Sequence, residues 1–290
     1  MTKSKPWIGF IGQGFIGKNL ADNFENRGYR TARFSLESKY KNNRELIQQC
    51  SIVFVAVPTP TTPKGFDYSI IDEVLHIPKE GTIVVIKSTV APGTTEKLQK
   101  KYKKLILIHS PEFLSEATAR EDTDRPFANI IGAGANTPLH KNAAKRVLEV
   151  LPKAPYFSIT TSKESEIIKY SHNCSGYVQV VFFNVLYDLA KKRGADWEII
   201  QSFLKADPFI SNKYSNPVHK SGRGAGGHCF IKDFAAFIET FKKVTPSDKL
   251  SIQMLRSIEA KNKDLLHSSG KDLNLLAGVY GQRYLRKNKK

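Results

Sequence analysis

The chain has 290 residues, 40% of them hydrophobic, which is enough for two domains with their own cores and excludes disorder along most of its length. Three scattered cysteines (Cys50, Cys174, Cys229) without a Cys-x-x-Cys pair exclude a disulfide framework and a zinc site, and fit a reducing compartment. The formal charge of +18 admits a polyanionic partner, but the lysines are scattered and accompany no nucleic-acid motif, so specific nucleic-acid binding is not favoured. No apolar run is long enough to cross a bilayer. The first one is cut by Gly12, Gln13 and Gly14 and lacks a cleavage site, so it reads as a strand and not a signal peptide, and a cytoplasmic protein is expected.

Residues 6–11 read as a short buried strand, followed by a glycine turn and an amphipathic helix to about Arg27, stopped by Gly28. Tyr29–Phe34 is the next strand and Arg44–Gln49 a helix. Ser51–Val57 is a continuous apolar strand of the parallel-sheet kind, ended by Pro58-Thr59-Pro60. A helix at Ile70–Leu75 and strands at Thr82–Ile86, Leu105–His109 and Asn129–Gly132 follow. Strands alternating with helices imply a doubly wound parallel sheet that binds ligands at the carboxyl ends of its strands. One long helix then runs from Ser162 to about Arg193, with more helices at Trp197–Phe203, Asp233–Lys242, Lys249–Asn262 and Leu273–Arg286, before a basic tail at Arg283–Lys290. The fold class is therefore α/β: a Rossmann-type domain over residues 1–161, then a long helix and an all-helical domain over 162–290.

Gly12-Gln13-Gly14-Phe15-Ile16-Gly17 sits between strand and helix, the context in which glycines bring a pyrophosphate to a helix N-terminus. The acidic residue expected about twenty residues on is absent, and Ser35 stands in its place. With Arg33 and Lys39 nearby, Ser35 admits the 2′-phosphate of NADP; Glu37 from a shifted turn would instead suit NAD. Both cofactors stay open. Lys169 and Asn173 are four apart on one helix face, a pairing that can take a hydroxyl proton and stabilise the alkoxide. Cys229 follows four glycines in six residues, whose backbone N–H groups are expected to line an anion pocket, and Asp233 follows one turn later. A thiolate so placed can capture an aldehyde.

These stretches resemble the UDP-glucose/GDP-mannose dehydrogenase family. The motifs are the glycine turn, Val57-Pro58-Thr59-Pro60, Lys87-Ser88-Thr89-Val90-Ala91-Pro92-Gly93-Thr94 and Pro111-Glu112-Phe113-Leu114-Ser115-Glu116. They continue with Glu166-Ile167-Ile168-Lys169-Tyr170 with Asn173, and end with Gly226-Gly227-His228-Cys229-Phe230-Ile231-Lys232-Asp233. The six fall in the family's order over about four fifths of the chain. The resemblance implies oxidation of a nucleotide sugar's primary alcohol to an acid, with two NAD⁺ consumed and Cys229 as nucleophile. Lys169 and Asn173 would stabilise the oxyanion, Glu112 and Asp233 would serve proton transfer and the hydrolytic water, and Thr89 would position that water.

By the same resemblance Gly12, Gly14, Phe15, Ile16, Gly17, Ser35, Val57, Pro58, Thr59, Ser88, Thr89 and Glu116 would contact the cofactor. Glu112, Phe113, Leu114, Glu116, Lys169, Asn173, Lys213, Lys220, Gly226 and Cys229 would line the sugar-nucleotide pocket. A homodimer through the helical region is also implied, with Lys213 where arginine is usual. The chain departs from the family at Ser35 and at Val185, and the family's third domain is not expected within 290 residues. His228 is similar to the branch acting on N-acetylhexosamine nucleotides, and Phe230–Asp233 to the UDP-glucose branch. Two other readings remain: a β-hydroxyacid or 6-phosphogluconate-type dehydrogenase, which shares the Lys-x-x-x-Asn pair but needs no Cys229, and a dinucleotide-binding protein without turnover.

Overall fold

The computed structural model describes residues 5–220 and 222–285. The basic tail past Leu285, including the Arg286 end expected for the last helix, lies outside the described residues. In chain order the first elements are β1 (Ile8–Ile11), α1 (Phe15–Asn26), β2 (Thr31–Phe34), α2 (Arg44–Ile47), β3 (Ile52–Val55), β4 (Thr61–Thr62), β5 (Gly65–Phe66) and α3 (Ser69–Val74). Then come β6 (Ile83–Ile86), α4 (Thr94–Lys101), β7 (Ile106–His109), α5 (Ala119–Asp124), β8 (Ala128–Ala133), α6 (Pro138–Val150) and β9 (Tyr156–Thr161). The last are α7 (Ser162–Lys192), α8 (Trp197–Ala206), β10 (Val218–His219), β11 (Gly222–Arg223), α9 (Gly227–Val244), α10 (Lys249–Ser269) and α11 (Leu273–Tyr280).

The chain divides into two compact units. One takes the residues up to Thr59 and Asp67–Lys169; the other takes Pro60–Phe66 and the residues from Tyr170 onward. The first is a Rossmann-type α/β unit with a seven-stranded sheet in the order β2-β1-β3-β6-β7-β8-β9. Four of its strands are buried at every residue, which is why they read as nearly continuous apolar runs. On one face Phe10 stacks on Phe54, with Leu20, Ala21 and Phe24 of α1 closing over them. The parallel sheet expected from the sequence needs one correction: β8 runs antiparallel to β7 and β9 parallel to β8, so the last two strands are reversed. The connection from β7 carries only the short α5, which packs on α1 and makes no crossover over the sheet, so the chain enters β8 from the end at which it left β7.

Helices α4 and α6 and strand β9 fall in stretches to which the sequence reading assigned no element. Left-handed Gly93 (φ +92°) opens α4, and Thr137 caps α6 by accepting from His140 N–H, with Pro138 in its first turn. In the second unit the expected helices are joined by two short hairpins, β4–β5 and β10–β11, so this unit is mainly but not wholly helical. Its core stacks Tyr177 of α7 on Phe234 of α9 at 3.9 Å. The 31-residue α7 passes through Gly176, where a Cβ would stand 2.8 Å from the Tyr214 ring and 2.9 Å from Phe230. A further correction concerns α9, which starts at Gly227 and not at Asp233, so Cys229 lies within a helix.

Candidate active site

The glycine turn shows why each glycine is needed. Gly12 has φ +91°, and a Cβ there would stand 2.2 Å from the Ala56 carbonyl oxygen. At Gly17 a Cβ would stand 2.0 Å from the Gly12 carbonyl oxygen, so this glycine lets α1 pack on β1. Gly14 is different. As the residue before α1 it is exposed, and a Cβ there would meet nothing within 4 Å. Open space in front of a helix N-terminus at the carboxyl edge of β1 fits a pyrophosphate. Phe15 is exposed beside it, and Ile16 is half-buried.

The neighbouring strand ends are tied together by hydroxyls. Ser88 Oγ accepts from Val57 N–H (3.0 Å) and donates to the Val57 carbonyl (2.7 Å), while Thr59 donates to the Thr89 carbonyl (2.8 Å). Pro58 is exposed between them. At the end of β2, Ser35 Oγ accepts from Glu37 N–H, closing a local turn. Arg33, named as a neighbour of a 2′-phosphate in one of the two options left open, is bound to Asp22 and Glu25 at 2.6 and 2.7 Å. Burial works against its charge, but the two carboxylates outweigh it and raise its pKa. Lys39 lies against Tyr40.

Past β7, Glu112 forms an ion pair with Lys87, which is only 3% exposed and also donates to Ser110 Oγ (3.2 Å). Lys87 carried no role in the sequence; its only signal was its place at the head of the Lys87–Thr94 motif. Lys169 is buried, with Nζ 5.3 Å from the centre of the Phe113 ring, and Phe113 packs on Phe127. Leu114 is half-buried and Glu116 exposed. Next to this group His109 is fully buried, its Nδ1 2.6 Å from Ser165 Oγ. Burial and then the Lys87 charge hold the His109 pKa down at about 3, so the ring is neutral. Glu166, another quoted residue without an assigned role, is buried and accepts from Gly93 N–H (2.5 Å) and Thr95 N–H (2.9 Å), capping α4.

In the second unit Asn173 donates its amide to Asp233 Oδ2 at 2.6 Å, and Lys232 donates to Oδ1 at 2.6 Å. Asp233 is 1% exposed and Asn173 4%, so the pair is buried inside the unit. Cys229 precedes Asp233 by one turn of α9 and is exposed, whereas Cys50 and Cys174 are buried. Burial pushes the Cys50 thiol up to about 12 and raises that of Cys174 as well. The glycine run before Cys229 departs from expectation. Its N–H groups do not all face a pocket: Ala225 N–H donates to Asn262 Oδ1 (2.7 Å) and Gly227 N–H to Asp272 Oδ2 (2.8 Å). Lys220 is exposed with φ +56°, Gly226 is half-buried, and Lys213 lies exposed, 5.8 Å from the Tyr214 ring centre. Asn262, Lys271 and Asp272 carried no sequence signal.

Residues 18–151 match the NAD binding domain of the UDP-glucose/GDP-mannose dehydrogenase family, and residues 163–264 match that family's central domain. UDP-glucose 6-dehydrogenase YwqF of Bacillus subtilis (strain 168) is 30% identical over 281 residues, covering 91% of this chain and 58% of that protein. The chain spans about half the length of the curated relatives it matches. A UDP-glucose dehydrogenase structure from Pyrobaculum islandicum superposes with a TM-score of 0.77 at 23% identity, over 95% of this chain and 71% of that one. A 3-hydroxyisobutyrate dehydrogenase of Mycobacterium tuberculosis gives 0.70 at 16% identity, over 95% and 98%. Both likenesses are of fold.

Proposed function

Because the chain belongs to the UDP-glucose/GDP-mannose dehydrogenase family, we propose that it oxidises the primary alcohol of a nucleotide sugar to a carboxylate, in two steps, with NAD⁺. The reading is carried by one observation: an exposed Cys229 stands one helical turn before a buried Asp233 that fixes the Asn173 amide. When bound, the dinucleotide takes up one hydride in each oxidation. In the first step Lys169 and Asn173 hold the developing alkoxide, Glu112 or Asp233 receives the hydroxyl proton, and an aldehyde results. The Cys229 sulfur then bonds to the aldehyde carbon, and its oxygen is protonated to give a thiohemiacetal. The second oxidation leaves a thioester. Water, held by Thr89 with Glu112 and Asp233, adds to its carbonyl; the carbon–sulfur bond breaks, releasing the carboxylate and returning the thiol.

NAD⁺ is proposed over NADP⁺ because Arg33 is already neutralised by Asp22 and Glu25. A homodimer through the helical unit is part of the proposal, supported by exposed Phe182, Val185 and Leu189 along one side of α7 and Ile199 and Phe203 on α8. Lys213 and Lys220 would meet the phosphates of the sugar nucleotide. The test is incubation with a panel of UDP- and GDP-sugars, followed by absorbance of reduced dinucleotide. Two equivalents per sugar are expected, and Cys229→Ser should lower the second oxidation by on the order of a thousandfold. Dinucleotide binding without reduction by any sugar would overturn the proposal. A simple hydroxyacid dehydrogenase would be indifferent to Cys229→Ser.

A further inference from the structure

The glycine-rich stretch before Cys229 is gripped at almost every residue. Arg223 N–H donates to Ser269 Oγ (3.0 Å), and the Gly224 carbonyl accepts from Lys271 Nζ (2.8 Å). Ala225 exchanges two hydrogen bonds with the Asn262 amide (2.7 and 3.0 Å), and Gly227 N–H donates to Asp272 Oδ2. Three of these partners lie in residues 269–272, past the stretch 163–264 that matches the family's central domain.

The grip is maintained against conformational preference. Asp272 holds φ +53°, a left-handed conformation that a non-glycine residue keeps only where its surroundings over-determine it. Lys271 is 6% exposed, and burial lowers its ammonium pKa. Gly226 fits because it has no Cβ, which would stand 2.0 Å from Asp272 Oδ2 and 2.9 Å from Lys271 Cε. Directly after Asp272, α11 packs Leu276 and Val279 against Ile231 and Ala235 of α9. One segment thus holds α9 both at its first turn and along its flank.

We infer that Asp272, assisted by Lys271, is a positioning residue for Cys229: a clasp that orders the first turn of α9 and so sets the direction of the thiol. The first amides of a helix lack intrahelical acceptors, and a carboxylate there is favoured by the helix dipole. For its catalytic meaning the inference rests on the reading of Cys229 as nucleophile, but the clasp itself is measurable without turnover.

The test uses the full chain with Asp272→Asn, which keeps an oxygen acceptor, and Asp272→Gly, which relieves the left-handed backbone but removes the acceptor. Both lack the charge; they differ in the acceptor and in backbone strain, and since glycine eases the left-handed turn, a looser first turn in Asp272→Gly reports the lost hydrogen bond. In Asp272→Gly the amides of Gly227, bound to Asp272, and of Phe230, at the start of the helical ladder, should exchange with deuterium at least about tenfold faster than in Asp272→Asn, while the unfolding midpoint moves little. Iodoacetamide should label Cys229 at a rate that differs at least about threefold between Asp272→Gly and Asp272→Asn at neutral pH, because a frayed first turn no longer holds the thiol in one direction. Equal exchange and equal labelling in the two variants would overturn the clasp. Should Asp272→Gly lose cooperative unfolding, Gly226→Ala, which drives a methyl into the carboxylate, is read against wild type in the same way, and unchanged exchange overturns it. Wild-type protein that oxidises no nucleotide sugar would sink the nucleophile reading and leave the exchange result standing.

Discussion

Glu166 offers a test in which the sign alone decides. Its carboxyl is buried and accepts two amides at the start of α4, and burial pushes its pKa up from the ordinary 4.5 to about 7, against the hydrogen bonds from Thr95 and Gly93, which pull it down. Between those values the folded chain holds a proton that the unfolded chain has lost. Stability contributed by this group is therefore present below the unfolded value and falls as pH rises toward 7. At about 1.4 kcal/mol per pH unit, the gap corresponds to roughly 3 kcal/mol. Glu166→Gln is a neutral isostere and removes this dependence. Urea unfolding of both proteins between pH 5 and pH 8 should show the stability of the Gln variant, relative to wild type, rising by about 2.5 kcal/mol across the range, the rest of the gap lying below pH 5. A relative stability that stays flat, or falls with pH, would refute the reasoning: the amides and the dipole of α4 would then outweigh burial, and Glu166 would be a carboxylate cap.

Other substitutions probe the two units separately. Gly17→Ala places a methyl 2.0 Å from the Gly12 carbonyl, between two backbones that cannot yield independently. It should cost about 1–3 kcal/mol in chemical unfolding and abolish dinucleotide binding measured by calorimetry. Asn173→Ala deprives a 1% exposed Asp233 of one of its hydrogen bonds, and about 1–3 kcal/mol of stability should be lost. Arg33→Ala should leave the ratio of NAD⁺ to NADP⁺ affinity within about twofold of wild type, since that guanidinium is already paired; a selective loss of NADP⁺ binding would show that it reaches the cofactor.

What the sequence disclosed depended on the range of the interaction. The glycine turn and the buried strands β1, β3, β6 and β7 were legible because each is set by neighbours in the chain: short runs made almost wholly of apolar residues. The reversal of β8 was not, because the direction of a strand is decided by how the preceding connection returns and not by its own residues. Nor was the Lys87–Glu112 pair, whose members stand far apart in sequence and meet only once β6 and β7 are side by side.

The glycines make the same point most sharply. Gly14 and Gly226 look alike in a sequence, each in a glycine-rich turn before a helix, and both invite the inference that backbone has been cleared for a ligand. At Gly14 the space a side chain would take is open, so that inference holds physically. At Gly226 the space is taken by the carboxylate of Asp272, and the neighbouring Gly227 amide is bound to the same oxygen. The glycine there makes room for the protein's own side chain, not for an anion. Only the structure tells these cases apart, because Asp272 reaches its partner across 45 residues. A glycine in a turn before a helix therefore reports a close approach of some group to the backbone, and whether that group is a ligand or the protein's own side chain is decided by contacts distant in sequence.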